Sequence, residues 1–234
     1  AANFLQYSNS LRVVRATQTN AVNASTSGTG VLVKNTEDWQ NNYASGGQAG
    51  NATFVAREAG TDGNNLLVAT CPSATAFEST LTGAQQVNQA DLAVGDTTVT
   101  MDSDAQTYLN VGDVIEFSTT AEGTDFDDGE KYRVTAVAAT QITIVQHPRG
   151  TGGLKRVVAD NSKIKRRWRF YDAVDGAPGT SAWASDRSGA NDEIHVIVID
   201  EDGGVSGVPG TILETYSKLS KASDAKDPQG NDNY

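Results

Sequence analysis

Short runs of alternating apolar and polar residues dominate the chain, and glycine, asparagine or aspartate bounds most of them. That texture predicts many short β-strands joined by tight turns. Phe4, Leu5 and Tyr7 read as the end of a helix before the Asn9-Ser10 break, and residues 11–16 as a strand. Residues 17–30, rich in Asn, Ser, Thr and Gly, read as a long loop. Val31-Leu32-Val33 is a short strand, and residues 35–51 a short helix around Trp39 and Tyr43 followed by loop. Residues 54–71 read as a turn feeding a buried strand. Further strands are predicted at 97–101, 114–117, 132–137, 141–145 and 163–171. Turns are expected at Gly95-Asp96, Gly112-Asp113 and Asp128-Gly129. The string Val-Gly-Asp occurs twice, at 94–96 and 111–113, each time marking a turn before a strand. Residues 193–200 are almost continuously apolar, the pattern of a strand covered on both faces, as in the middle of an α/β sheet. After the turn at Asp202-Gly203-Gly204, Thr211 and Glu214 have capping-box spacing, and Ile212, Tyr216 and Leu219 form one stripe. A helix ending near Lys218 and Lys221 is therefore predicted, then a polar loop at 223–234.

The fold class expected is α+β (mixed). A discontinuous α/β domain, residues 1–83 and 172–234, carries an inserted small antiparallel β-barrel or sandwich module at 84–171.

Composition narrows the functional classes. Eighteen Lys and Arg stand against twenty-nine Asp and Glu, a net charge of −11, which opposes long-range attraction to DNA or to an anionic bilayer. No stretch approaches the roughly 20 apolar residues of a membrane span. The single cysteine, Cys71, excludes an internal disulfide and a thiolate-rich metal site. The first residues carry no signal-peptide pattern. The chain does not open on Met, which reads as a processed product or a piece of a longer protein.

The motifs are weak as chemistry. Asp125, Asp127, Asp128 and Glu130 read as a solvated hairpin loop, not as the facing carboxyl pair of a glycosidase. Residues 200–204, Asp-Glu-Asp-Gly-Gly, fail the calcium-loop spacing and read as a tight turn. Gly28-Thr29-Gly30 lacks the third glycine and the preceding strand of a dinucleotide fingerprint. His195 lies mid-strand, His147 at a strand end, and Cys71 reads as a small buried residue. Asn23 and Asn51 begin Asn-x-Ser/Thr strings. No catalytic, cofactor-binding or metal-ligating residue is assigned, and no cofactor is expected.

The strongest local anomaly is basic. Lys155, Arg156, Lys163, Lys165, Arg166, Arg167 and Arg169 crowd seven of the eighteen positive charges into one stretch, with Trp168, Phe170 and Tyr171 interleaved. Read as a strand, Lys163, Lys165, Arg167 and Arg169 share one face while Ile164, Trp168 and Phe170 share the other. Asp113, Glu116, Glu122, Asp125, Asp127, Asp128 and Glu130 supply partners, within the chain or between neighbouring copies.

Four segments carry a resemblance to a known family. Residues 3–16 (NFLQYSNSLRVVRA), 56–70 (AREAGTDGNNLLVAT), 166–181 (RRWRFYDAVDGAPGTS) and above all 191–234 (NDEIHVIVIDEDGGVSGVPGTILETYSKLSKASDAKDPQGNDNY) resemble contractile bacteriophage (myovirus) tail sheath proteins. Residues 84–165 carry no such match; in that family insertions there vary and face outward. The resemblance implies a virion structural protein and no enzyme. Subunits form stacked hexameric rings around the tail tube and contract to drive the tube through the host envelope for genome ejection. The partners implied are other copies of the chain and the tail tube, baseplate and neck proteins, with no direct nucleic acid and no membrane insertion. The location implied is the virion tail sheath, assembled in the host cytoplasm. Full-length family members extend beyond both ends of this chain, which is expected to be a middle fragment holding outer domains. The alternative is a carbohydrate- or surface-binding module of a virion protein, which predicts an exposed aromatic platform built from Trp39, Trp168 or Trp183.

Overall fold

A computed structural model describes residues 21–26, 30–43, 54–90, 92–126 and 129–234. The expectations for residues 1–20, for Asn51, and for Asp127 and Asp128 lie outside them. Among the described residues there are eleven strands: β1 (Asn23–Ser25), β2 (Val55–Ala59), β3 (Leu66–Cys71), β4 (Glu78–Leu81), β5 (Thr98–Thr100), β6 (Val114–Phe117), β7 (Lys131–Ala138), β8 (Gln141–His147), β9 (Ile164–Arg167), β10 (Glu193–Asp200) and β11 (Thr211–Ser220). Among the same residues three short α-helices join them: α1 (Thr36–Asn42), α2 (Ala74–Phe77) and α3 (Ala182–Ser185). Each starts where a side-chain oxygen accepts an N–H three residues on. Asn35 caps at Asp38, Ser73 at Ala76 and Ser181 at Ala184. The fold is mixed and dominated by sheet.

By internal packing the chain divides into two units, residues 1–68 with 198–213, and 69–197 with 214–234. The boundaries fall inside β3, β10 and β11, which form a three-stranded sheet in the order β11-β10-β3.

In the first unit β1 pairs antiparallel with β2, although residues 17–30 read as loop. The reason is Asn23, which is fully buried. Its Nδ2 donates to the carbonyls of Ala56 and Arg57, at 2.8 and 3.0 Å, and its Oδ1 accepts the N–H of Val33 at 2.9 Å. One polar side chain thus recruits a segment without apolar pattern. Val31 only bridges Asn23, so the strand expected at 31–33 shrinks to a single pairing.

The second unit holds a six-stranded antiparallel sheet, ordered β4-β9-β6-β7-β8-β5. A register shift between Val134 and Ala136 bends β7 against β8. Residues 86–88 hydrogen-bond in two directions. Val87 donates to the carbonyl of Ser162 and accepts from Asn161, at 3.3 and 2.9 Å. Asn88 donates to Thr100, and Asp102 donates to Gln86, at 2.9 and 3.1 Å. Within the sheet lies the core, led by Phe117, Tyr132, Met101, Leu92, Ile144 and Ile164, each at most 2% exposed. Both Val-Gly-Asp strings fold as the same turn. Asp96 and Asp113 each accept, through Oδ2, the N–H of the residue three earlier, Ala93 and Asn110. Each donates its own N–H back to that residue's carbonyl. Gly95 and Gly112 take the left-handed backbone, with φ of 96° and 97°, that the third turn position requires.

The helix expected from Thr211 is instead the strand β11. Its β-branched and aromatic residues (Thr211, Ile212, Thr215, Tyr216) favour extended backbone. The stripe that suggested a helix has no core to cover, since Ile212 and Tyr216 are 40% and 45% exposed. The strand expected at 163–171 ends at Arg167, after which residues 169–173 turn.

Candidate functional site

The basic strand is the densest collection of functional-group chemistry in the second unit. Because β9 lies between β4 and β6, its side chains have acidic neighbours on both sides. Arg167 faces Glu78 of β4, and Lys165 faces Glu116 of β6. Arg167 Nε donates to Glu78 at 2.7 Å, and its Nη1 donates to Glu116. Lys131 also reaches Glu116 at 3.7 Å, Lys165 reaches Glu78 at 4.0 Å, and Lys163 reaches Glu122 at 3.6 Å. Lys155 pairs with Glu130 at 3.2 Å. Burial works against the Arg167 charge, and Glu116 and Glu78 outweigh it, so its pKa rises. Arg167 and Lys131 both lie over the ring of Tyr171, at 5.6 and 5.9 Å. Glu116 itself is fully buried under these cations. The three cations of β9, Lys165, Arg166 and Arg167, thus each meet a carboxylate within the chain, on Glu78, Asp113 or Glu116.

Sequence periodicity missed Arg166. It points to the core side with Ile164 and Trp168 and is 7% exposed. Its Nη1 pairs with Asp113 at 3.4 Å, and its Nη2 donates to the carbonyls of Thr75 and Ala76, at 3.0 and 2.6 Å. Burial raises the Asp113 carboxyl, while the Asn110 N–H and Arg166 act to lower it. The signal available in the sequence was the odd member of a charged run, falling where an apolar residue was due.

His195 is buried and fully engaged. Nε2 lies 2.9 Å from the carbonyl of Gly176, and Nδ1 accepts the N–H of Lys218 at 2.9 Å. With Nδ1 accepting, the ring N–H lies on Nε2, toward the Gly176 carbonyl. Phe77 and Trp168 pack against the ring. His147 is half-buried beside Arg133, 3.3 Å away, and burial followed by that guanidinium lowers its pKa. Cys71 is buried, and burial raises its thiol pKa, away from thiolate reactivity.

In the first unit Asp200 ends β10 and organises the acidic turn. Its Oδ2 accepts from the N–H of Val205 at 3.1 Å and from the N–H and hydroxyl of Ser206. Burial would raise its pKa; these donors overcome that and lower it. Asn23 spends its amide on the backbone, which makes it a poor glycosylation acceptor. Gly30 packs against Val22 and Asn23, while Gly28 and Thr29 lie outside the described residues. Among the described residues no three His, Cys, Asp or Glu side chains are grouped to hold a metal, and no helix is long and apolar enough to cross a membrane.

The tryptophans are engaged individually. Trp39 stacks on Tyr43 at 5.9 Å, Trp168 is buried, and the Arg187 guanidinium lies 3.3 Å from the ring centre of Trp183. A groove of about 350 Å³ runs beside β5, lined by Gln89, Gly95, Asp96, Thr97, Thr98, Thr100 and Gln141. No protein-family model, curated protein or solved structure matches the chain.

Proposed function

We propose that the chain is a structural subunit of a contractile phage tail sheath, present in the virion as part of stacked hexameric rings around a tail tube. The observation that carries this reading is the long C-terminal resemblance, residues 191–234. Its first and last parts fold as expected, a covered strand β10, an acidic turn fastened by Asp200, and a terminal polar stretch; the expected helix between them is the strand β11. Two structural features support a passive part that moves as a body. The basic strand finds its counter-charges inside its own sheet, and His195, Arg166 and Asp113 serve as buried fastenings. In this reading contraction changes how copies pack, with energy held in interfaces between subunits.

In the same reading residues 84–171, joined by β4, form an outward-facing barrel inserted in a discontinuous domain. The double-sided pairing of residues 86–88 supports that closure, since it links the end next to β5 with the end next to β9.

Electron microscopy of the complete gene product expressed in bacteria is expected to show sheath-like tubes or polysheaths. Dispersed monomers under conditions that assemble sheaths, or turnover of a substrate abolished by one acidic or histidine substitution, would overturn the reading.

A further inference from the structure

We propose that the groove beside β5 binds a neutral oligosaccharide. Val99 and Ile142 face the core, 0% and 1% exposed. Their neighbours Thr98, Thr100, Gln141 and Thr143 therefore face outward, and Thr98 opposes Thr143 while Thr100 opposes Gln141. Gln89 stands alongside, its Oε1 accepting the N–H of Thr100 at 3.3 Å. That bond fixes the amide and leaves its Nε2 without a protein partner among the described residues. At the end of the groove Asp96 uses Oδ2 to hold the N–H of Ala93, with its second oxygen left to accept.

The lining thus offers two carboxamides, three threonine hydroxyls and one carboxylate. Neighbouring sugar hydroxyls each donate and accept, and amide or carboxylate groups engage them in pairs. Among the described residues no lysine, arginine or histidine lines the groove, so phosphate, sulfate and acidic sugars find no counter-charge there. No aromatic or large aliphatic side chain of the described residues lines it either, which disfavours a lipid or a flat apolar ligand. The volume suits a mono- or disaccharide, at the small end of the roughly 300–1,000 Å³ common to small-molecule sites. Without an aromatic face the single-site affinity falls near the millimolar range, about −4 kcal/mol. Repetition of the site on an assembled particle would raise it by avidity. The inference stands on the groove and does not rest on the sheath reading.

The test is a ¹H–¹⁵N chemical-shift titration of the whole chain with maltose, lactose, mannobiose and chitobiose, with sialyllactose as the acidic comparison. At least one neutral sugar is expected to shift resonances of residues 89, 95–100 and 141. Gln141→Ala and Thr98→Val, both at exposed or half-exposed positions, are each expected to weaken that binding about fivefold or more while leaving the remaining spectrum in place. No shifts with any of the four sugars, shifts confined elsewhere, unchanged affinity in both variants, or response to sialyllactose alone would each overturn the proposal. Electron microscopy of assembly reads the sheath question separately, so the two can fail independently.

Discussion

Gly95 and Gly112 occupy the same place in two copies of one turn, but an added methyl group meets different surroundings. At Gly95 nothing lies within 4 Å of the added carbon, whereas at Gly112 it would meet Cβ and Cδ of Arg169, both at 3.2 Å. Both alanine variants force an L-residue into the left-handed region, at about 1–2 kcal/mol. Gly112→Ala is expected to lose more stability than Gly95→Ala in urea denaturation; equal losses would contradict the packing described. Arg166 allows a sharper experiment. Arg166→Met strands Asp113 in the interior and is expected to cost about 3–5 kcal/mol. Adding Asp113→Leu should return a substantial part of that loss, giving a large coupling energy in a double-mutant cycle. Additive losses would show that the pair is not acting as a pair. Arg166 also marks where sequence reading stopped. Alternation correctly put Ile164 and Trp168 inward and Lys165 and Arg167 outward. An arginine on the inward side is illegible until Asp113 and the α2 carbonyls, distant in sequence, are known to stand there.

At the scale of elements, the strands of the second unit were the most readable part of the fold. β5, β7 and β8 each combine alternation with a bounding turn, two local signals that agree, and β6 is a short apolar run behind the Gly112-Asp113 turn. β11 was misread because the i, i+4, i+7 stripe and capping-box spacing fit a helix, while the β-branched and aromatic residues Thr211, Ile212, Thr215 and Tyr216 favour the strand that forms beside β10. β1 was hidden for the opposite reason, since its anchor is a polar residue. The groove beside β5 was likewise invisible, because it is made by threonines and glutamines whose grouping depends on strand register. The end of β11 carries a pH prediction. Asp192 accepts from the hydroxyl and N–H of Ser181 and from the hydroxyl of Ser220. Burial raises its pKa, but these donors prevail and hold it below the ordinary 3.8. The stability it contributes is therefore present above the ordinary carboxylate range and is lost as pH falls through the depressed value. Asp192→Asn should lower the melting temperature at pH 7, and the gap from wild type should close as the pH falls below the ordinary carboxylate range. A gap independent of pH would exclude ionisation as its source.

For the molecule as a whole, the balance of charge is more informative than its sum. A net −11 suggests a surface that repels anions, yet β9 carries three cations in a row, Lys165, Arg166 and Arg167, and each meets a carboxylate, on Glu78, Asp113 or Glu116. Arg167→Glu would place a third carboxylate against Glu78 and Glu116, in a region where Glu116 is fully buried. It is expected to destabilise the unit by more than about 3 kcal/mol, visible as loss of cooperative melting even in the dispersed chain. If Arg167→Glu instead folds normally and only assembly fails, that strand serves contacts between copies.

The pairing of β9 on both of its sides has a practical consequence for anyone wishing to isolate the second unit's sheet. A recombinant piece cut at residue 84 would discard β4 and bare one side of β9, exposing a row of amide and carbonyl groups of the kind that drives edge-to-edge aggregation. The same cut would strip Arg166 of the two α2 carbonyls that cap it. Starting the piece at Ser73 keeps that cap and the covering strand together, and should separate a soluble product from an insoluble one.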